Sequence, residues 1–325
     1  MTIGRRRFLS VGAGLAVSTT ITAPFLVPKH YVSYRRALSR VAVLEAKEYS
    51  DDLEQLLFDG LTLFRLQIRG KSVLLKPNLV ENLPGPVNTN AVLVGGAARA
   101  FLRLGAAQVT IGEGSGHQRD TELIVNSAGL EEQIRERRTG FVDLNRDEVV
   151  NVRLKANYSG LGSLWLPCTV LKSDFIVSMP KIKTHHWAGV TLSLKNMFGV
   201  APGVKYGWPK NLLHWHGIPE SILDICATVP VNFVIADGII AMEGNGPLHG
   251  TPRKVNRVVL SDDPVAADAI CSRLMGIDPT RVDYLNQASS FLGNIDQQKI
   301  SVLNGNVGAE PTPFSVLPAF RGILL

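Results

Sequence analysis

Cysteine is scarce in this 325-residue sequence, and its three copies, Cys168, Cys226 and Cys271, stand far apart without a C-x-x-C. That spacing excludes a zinc ribbon and gives no ground to expect an iron–sulfur cluster. Either one disulfide with a leftover thiol or three buried apolar thiols is left. There is no G-x-x-x-x-G-K-[ST], which excludes a P-loop. Internal repeats and low-complexity linkers are also missing, so one continuous domain is expected.

Acidic residues are absent from one end. Before Glu45 there are seven basic residues (Arg5, Arg6, Arg7, Lys29, Arg35, Arg36, Arg40) and no Asp or Glu, so 27 of the 34 basic residues remain against 28 acidic ones. The formal net charge of +6 belongs to the leader, and the body is close to neutral. A nucleic-acid footprint needs a basic face on the folded domain, so nucleic acid is dropped as a partner.

The leader has a pattern of its own. Arg5-Arg6-Arg7-Phe8-Leu9 precedes a mildly apolar, Gly/Ala/Ser/Thr-rich run from Val11 to Val27, which resembles a twin-arginine export signal. Pro24 and Pro28 interrupt the end of a run already short for a membrane span, and no small-x-small cleavage site follows. Residues 1–36 are read as a signal or anchor segment and residues 37–325 as one domain. The expectation is export through the twin-arginine machinery, with a periplasmic or membrane-anchored product.

From about Arg40 short apolar runs alternate with helical stretches, which predicts an α/β fold: a mainly parallel sheet flanked by helices, with some antiparallel peripheral strands. Strands are expected at Val41 to Leu44, Ser72 to Lys76, Gln108 to Ile111, Asp174 to Met179, Phe233 to Ala236 and Val255 to Leu260. Phe141 to Leu144, Val149 to Leu154 and Ser163 to Leu166 read as the antiparallel periphery. Asn88, Thr89 or Asn90 caps the helix from Ala91 to Leu104, with Gly105 at C′. Asp263 and Pro264 fit the N-cap and N1 positions of a helix to Met275. Gly112-Glu113-Gly114-Ser115-Gly116 follows a strand as G-x-G-x-G, either a weak dinucleotide signal or a tight turn.

The chain is organised around Ser178 to Val200, SMPKIKTHHWAGVTLSLKNMFGV, which sets Lys181, Lys183, His185, His186, Thr191, Lys195 and Asn196 in an apolar setting. Cations so close together need solvent or a bound anion. In an extended segment Lys181 and Lys183 point the same way, and on a helix Thr191 and Lys195 share a face. Lys76, Asn78, Glu113, Asp237, Glu243 and Asp268 stand at or beyond other expected strand ends, where open α/β sheets gather functional groups. His186 and Trp187 are read as packing residues, as are His214, Trp215 and His216.

Lys76-Pro77-Asn78, Pro180-Lys181-Ile182-Lys183-Thr184-His185, Thr191, Leu194-Lys195-Asn196 with Gly199, Asp237-Gly238 with Glu243 to Pro247, and Asp263-Pro264-Val265-Ala266 with Asp268 together resemble the DUF362 family, over roughly Leu74 to Asp283. The resemblance implies a shared α/β domain and, by fold-level analogy, a distant kinship with nickel-pincer lactate racemases. Many family members carry a ferredoxin-like module whose cysteines are missing here, so a cluster-based redox role is not carried over.

The functional expectation is a cationic strand-end pocket for a small anionic ligand, phosphorylated or carboxylated, in an enzyme of unassigned reaction. Lys76, Lys181 and Lys183 hold the anion, with Asn78, Thr191 and Asn196 beside them. Lys195 or His185 handles protons, and Asp237 with Glu243 or Asp268 acts as base or holds a divalent metal. The alternative is a non-catalytic binding or assembly factor for an exported redox system, acting with a redox partner protein. Replacing Arg5 and Arg6 by Lys is expected to block export, seen as loss of the chain from the periplasmic and membrane fractions; unchanged export overturns the signal.

Overall fold

Val41, Leu74, Ile176, Val234 and Val259 share one hydrophobic cluster, whereas their chain neighbours Ala42, Val73, Phe175, Phe233 and Leu260 belong to a second. Successive strand side chains point to opposite faces, so this split means strands buried on both sides, as a sheet between helices requires. The computed structural model describes residues 37–325 except 51, 84, 117, 119, 136–137 and 305–312. The twin-arginine reading of residues 1–36 lies outside the described residues. Among those described, no helix is long and apolar enough to cross a membrane.

The strands are β1 (Ser39–Glu45), β2 (Ser72–Pro77), β3 (Gln108–Glu113), β4 (Thr139–Asp143), β5 (Val149–Arg153), β6 (Ser163–Pro167), β7 (Phe175–Met179), β8 (Lys181–His185), β9 (Gly189–Thr191), β10 (Phe233–Glu243), β11 (Thr251–Ser261) and β12 (Ile300–Val302). Ten of them form one sheet in the order β12-β1-β11-β10-β7-β2-β3-β4, with β8 joined to β10 and β9 to β8. The run from β10 to β4 is parallel; β11 is antiparallel to both β10 and β1, and β9 to β8. The fold is therefore the expected mainly parallel α/β class. Helices α1 (Leu53–Thr62) and α2 (Ala91–Arg103) cover one face, and the helices Ile218–Thr228 and Pro264–Leu274 the other.

Local capping follows the sequence. The Asn90 side chain accepts from Val92 N at 2.9 Å, and Gly105 takes φ +95° just beyond α2, where a Cβ is disfavoured. Asp263 accepts from Val265 N and Ala266 N. Two expectations need correction. β4 is not antiparallel: it extends the parallel edge beside β3, while β5 and β6 form a separate antiparallel pair. β10 does not stop at Ala236 but runs to Glu243, because β11 pairs with it beyond an irregularity between Gly238 and Ile240.

One break in the sheet makes the site. β7 pairs with β2 up to Pro77↔Met179, and then Pro180, which has no N–H to give, turns the chain. Beyond it β8 follows β10 and leaves β2, so the carboxyl end of β2 and the β8–β9 hairpin stand apart.

Asp263 also accepts from Ser39 Oγ and from Asn294 N at 2.9 Å, so its carboxylate ties β1, the helix Pro264–Leu274 and the segment after Leu292 together. Asp263→Ala is expected to lower stability by about 3 kcal/mol, read from urea unfolding; a loss under about 1 kcal/mol would deny it that role.

Candidate functional site

The gap between β2 and the β8–β9 hairpin is a pocket of about 180 Å³. Lys76 and Asn78 come from β2 and its end, Glu113 and Gly114 from β3 and its end, and Lys183, His185 and Thr191 from β8 and β9. Lys195, Asn196, Phe198 and Gly199 come from the turn after β9, and Lys210 and His214 from the segment that closes it. The walls are completed by apolar groups, including Leu79, Val80, Pro247 and Leu248.

The floor is a buried ion pair. Lys76 Nζ lies 2.7 Å from Glu113 Oε1 and also donates to Pro77 O and Asn196 Oδ1. Glu113 accepts from Leu79 N and Gly114 N, each at 2.8 Å. Asn196 donates from Nδ2 to Lys76 O and Ser178 Oγ, which ties the turn after β9 to the sheet. An added Cβ on Gly199 would lie 2.5 Å from Glu113 Oε1 and 2.6 Å from Lys76 Nζ, so only glycine lets that backbone approach the pair.

Among the described residues, three further amines enter the pocket without a carboxylate partner. Lys183 Nζ donates to Val87 O at 2.7 Å and Pro247 O at 3.4 Å; burial, then the charges of Lys181 and Lys195, hold it well below the ordinary lysine range. Lys210 Nζ donates to the carbonyls of Gly114, Gly199 and Ala201, and burial lowers it to about 7. Its backbone is left-handed at φ +67°, which costs a non-glycine residue about 1 kcal/mol. Lys195 is half-buried, with Nζ 4.6 Å from the Phe198 ring centroid; burial and then Lys76 lower it to about 8.

The imidazoles have defined roles. His185 Nδ1 accepts from Trp187 N and Ala188 N, so in the neutral ring the proton sits on Nε2. Burial, then Lys195, keeps that ring well below the usual histidine range. His186 and His214 use Nδ1–H on Gly246 O and Lys210 O, and their rings join His185 and Trp187 in a stacked and edge-on array. Asn78 Oδ1 and Thr191 Oγ1 are buried with no partner among the described residues.

Lys76, Asn78, Lys183, His185, Thr191, Lys195 and Asn196 are thus gathered in one pocket, and Lys181, Asp237, Glu243 and Asp268 do not line it. Lys181 departs from Lys183 because the register of β8 on β10 breaks between them: Lys181 lies opposite Asp237, Lys183 opposite Met242. Lys181 Nζ instead reaches Asp237 Oδ2 at 2.6 Å, and Tyr49 OH and Asn90 N donate to the same carboxylate. Glu243 pairs with Arg253 and Ser315 N, and Asp268 accepts from Ser193 N and Leu194 N. The three proposed metal acids therefore have separate partners, and no three His, Cys, Asp or Glu side chains stand together as a metal site among the described residues. The donor set does not fit a divalent metal there. Thr191 and Lys195 meet in the pocket although they share no helix, since Thr191 ends β9 and the helical turn is only Ser193–Asn196.

Other readings change as well. His186, Trp187 and His214 pack against one another and also form pocket walls, and Trp215 is exposed. Gly112 lies within β3 and the next helix begins only at Thr121, so the G-x-G-x-G run opens no helix that could cradle a pyrophosphate. Gly114 instead permits contact with Gly199 O, 2.6 Å from where a Cβ would stand. Lys210 carried no sequence signal, being a lone lysine in an irregular segment. All three cysteines are free, with Cys226 and Cys271 buried and Cys168 half-buried.

The family described as "Domain of unknown function (DUF362)" matches residues 73–273. A thylakoid-associated protein of Synechocystis sp. is 27% identical over 229 residues, 66% of this chain, which spans 65% of that relative's length. Among solved structures, a Thermotoga maritima protein is 14% identical with a TM-score of 0.42, covering 65% of this chain and 55% of the other. The lactate racemase apoprotein from Thermoanaerobacterium thermosaccharolyticum is 12% identical with a TM-score of 0.41, covering 64% and 51%.

Glu113→Gln leaves Lys76 buried without a counter-charge and is expected to cost about 3 kcal/mol or more in urea unfolding. Lys76 is already lowered in the folded state, chiefly by burial, so the unfolded chain holds its proton more firmly. Stability of the variant should therefore recover as pH rises from 7 towards 10; a deficit independent of pH would contradict the assignment.

Proposed function

The chain belongs to the DUF362 family, and from that premise we propose that its pocket binds a small anionic ligand, carboxylated or phosphorylated, and transfers protons to or from it. The observation that carries this reading is an imbalance: Lys76, Lys183, Lys195 and Lys210 surround the pocket, and among the described residues Glu113 is the one carboxylate in its lining. Glu113 is already engaged by Lys76 and two backbone N–H groups. An anion supplies the missing negative charge.

In this reading Lys76, Lys183 and the Nε2–H of His185 hold the anionic group, while Asn78, Thr191 and Asn196 orient the rest. Lys195 gives the anionic group one charged hydrogen bond and also exchanges the proton. It is suited to that because its amine lies close to neutrality, at about 8, where a group both gives and takes protons readily. Lys181 and Asp237, paired with each other, act as a structural strut. No step passes through a metal. Export by residues 1–36 belongs to the same proposal and is tested separately by the arginine replacements.

Acetate, malonate, inorganic phosphate and glycerol phosphate serve as probes in thermal unfolding. A ligand at 100 times its Kd is expected to stabilise the chain by about 2.7 kcal/mol. Lys195→Met should keep the circular dichroism spectrum and weaken that ligand by roughly tenfold or more, the worth of one charged hydrogen bond. Because the protonated amines favour the anion, affinity should fall as pH rises through about 7, where Lys210 loses its proton, and again through about 8, where Lys195 does. Failure of all four probes to stabilise the chain, or unchanged binding by Lys195→Met, overturns the reading.

A further inference from the structure

Lys195 differs from the other amines of its pocket. Lys76 has Glu113, and Lys183 and Lys210 have backbone carbonyls. Among the described residues, Lys195 Nζ has no hydrogen-bond acceptor, and it rests over the face of Phe198. It is half-buried, so a ligand can reach it, yet its backbone is held: Asp268 Oδ1 accepts from Ser193 N at 2.7 Å and Oδ2 from Leu194 N at 3.0 Å, directly before it. An amine desolvated against an apolar wall beside another cation is the arrangement that makes lysine a nucleophile.

We propose that Lys195 forms an imine with a small carbonyl compound that also carries an anionic group, a 2-oxo carboxylate being the simplest. This rests on the anion-binding reading of the same pocket. The Nζ lone pair adds to the carbonyl carbon, and the carbonyl oxygen takes up a proton to give a carbinolamine. That oxygen then leaves as water with a second proton, and a C=N bond replaces C=O. Nothing is oxidised or reduced. The buried, unpartnered hydroxyl of Thr191 lines the same pocket and can both give and accept the proton that moves to the departing oxygen. Once protonated, the imine keeps the positive charge that faced the anion and draws electrons from the neighbouring carbon. The reaction class it supports is proton loss or exchange at that carbon.

The supply of neutral amine agrees with this role. At pH 7 roughly one Lys195 in ten is unprotonated, given a value of about 8, against about three in ten thousand for an ordinary lysine.

The test is reductive trapping on the full chain at pH 7, with pyruvate or glyoxylate and sodium cyanoborohydride, followed by intact mass and peptide mapping. One adduct per chain on the peptide carrying Lys195 is expected. Lys195→Arg, which keeps the charge, and Lys195→Met should each lower labelling at least ~tenfold. Propionate, which lacks the carbonyl, should slow trapping in the native chain by competition, a readout that needs no variant to fold. No adduct, or adducts spread over surface lysines equally in the native chain and both variants, overturns the proposal. If malonate or phosphate still stabilises the chain while no adduct forms, the imine fails and the anion reading stands. If no anion stabilises it either, both fail.

Discussion

A buried ammonium must be answered by a carboxylate or by carbonyl oxygens, and the pocket depends on how that demand is met for Lys76. Glu113 meets it, and in doing so fixes more than one side chain. Its two oxygens also receive Leu79 N and Gly114 N, so the ion pair sets the course of the chain leaving β2 and of the chain leaving β3. Gly199 must then pass close to the pair, which a side chain would prevent. Lys210, held by the carbonyls of Gly114 and Gly199, closes the floor from the far side. Removal of one carboxylate would therefore loosen several segments that are remote in sequence.

The sheet supplies the second condition. Parallel strands ending at one edge bring Lys76 and Glu113 together, as an open α/β sheet does. The third wall needs the departure of β8 from β2 after Pro180, because a sheet that continued in register would have closed the gap with hydrogen bonds. The same departure decides the fate of two lysines two residues apart. Lys181, still beside β10, finds Asp237, and Lys183, past the register break, faces the gap.

Much of this was legible in the sequence. The caps at Asn90 and Asp263 could be read because each depends on a residue type at one fixed offset from its helix. The convergence of Lys76, Lys183, His185, Lys195 and Asn196 could be read from strand ends and from the dense run after Met179. The assignment of Lys181, Asp237 and Glu243 could not, because alternation along a strand says which face a side chain takes and nothing about a shifted register. Asp268 was missed for another reason: an acid on the helix Pro264–Leu274, remote in sequence from the cationic motif, serves two backbone N–H groups of the turn that carries Lys195. Lys210 was hidden for a third reason. Its inward position comes from a left-handed residue in an irregular segment, which leaves no periodic trace.

The two clusters of charge differ in what they leave undone. Lys181, Asp237 and Tyr49 satisfy one another, with Tyr49 OH donating to the carboxylate and the ammonium in contact with both, so that cluster has nothing left to offer a ligand. The pocket holds more amines than charge can balance, and the protein answers by lowering their basicity: Lys195 to about 8, Lys210 to about 7, and Lys183 well below the ordinary lysine range by burial and like charge. Each lowered amine marks solvation that folding removed without full replacement, a local cost to stability of the kind functional sites bear. On the proposal of an anionic ligand, its arrival would restore that missing interaction and draw protons back onto the amines. Local instability of the pocket and the proposed affinity for an anion would then be two measures of the same electrostatic deficit.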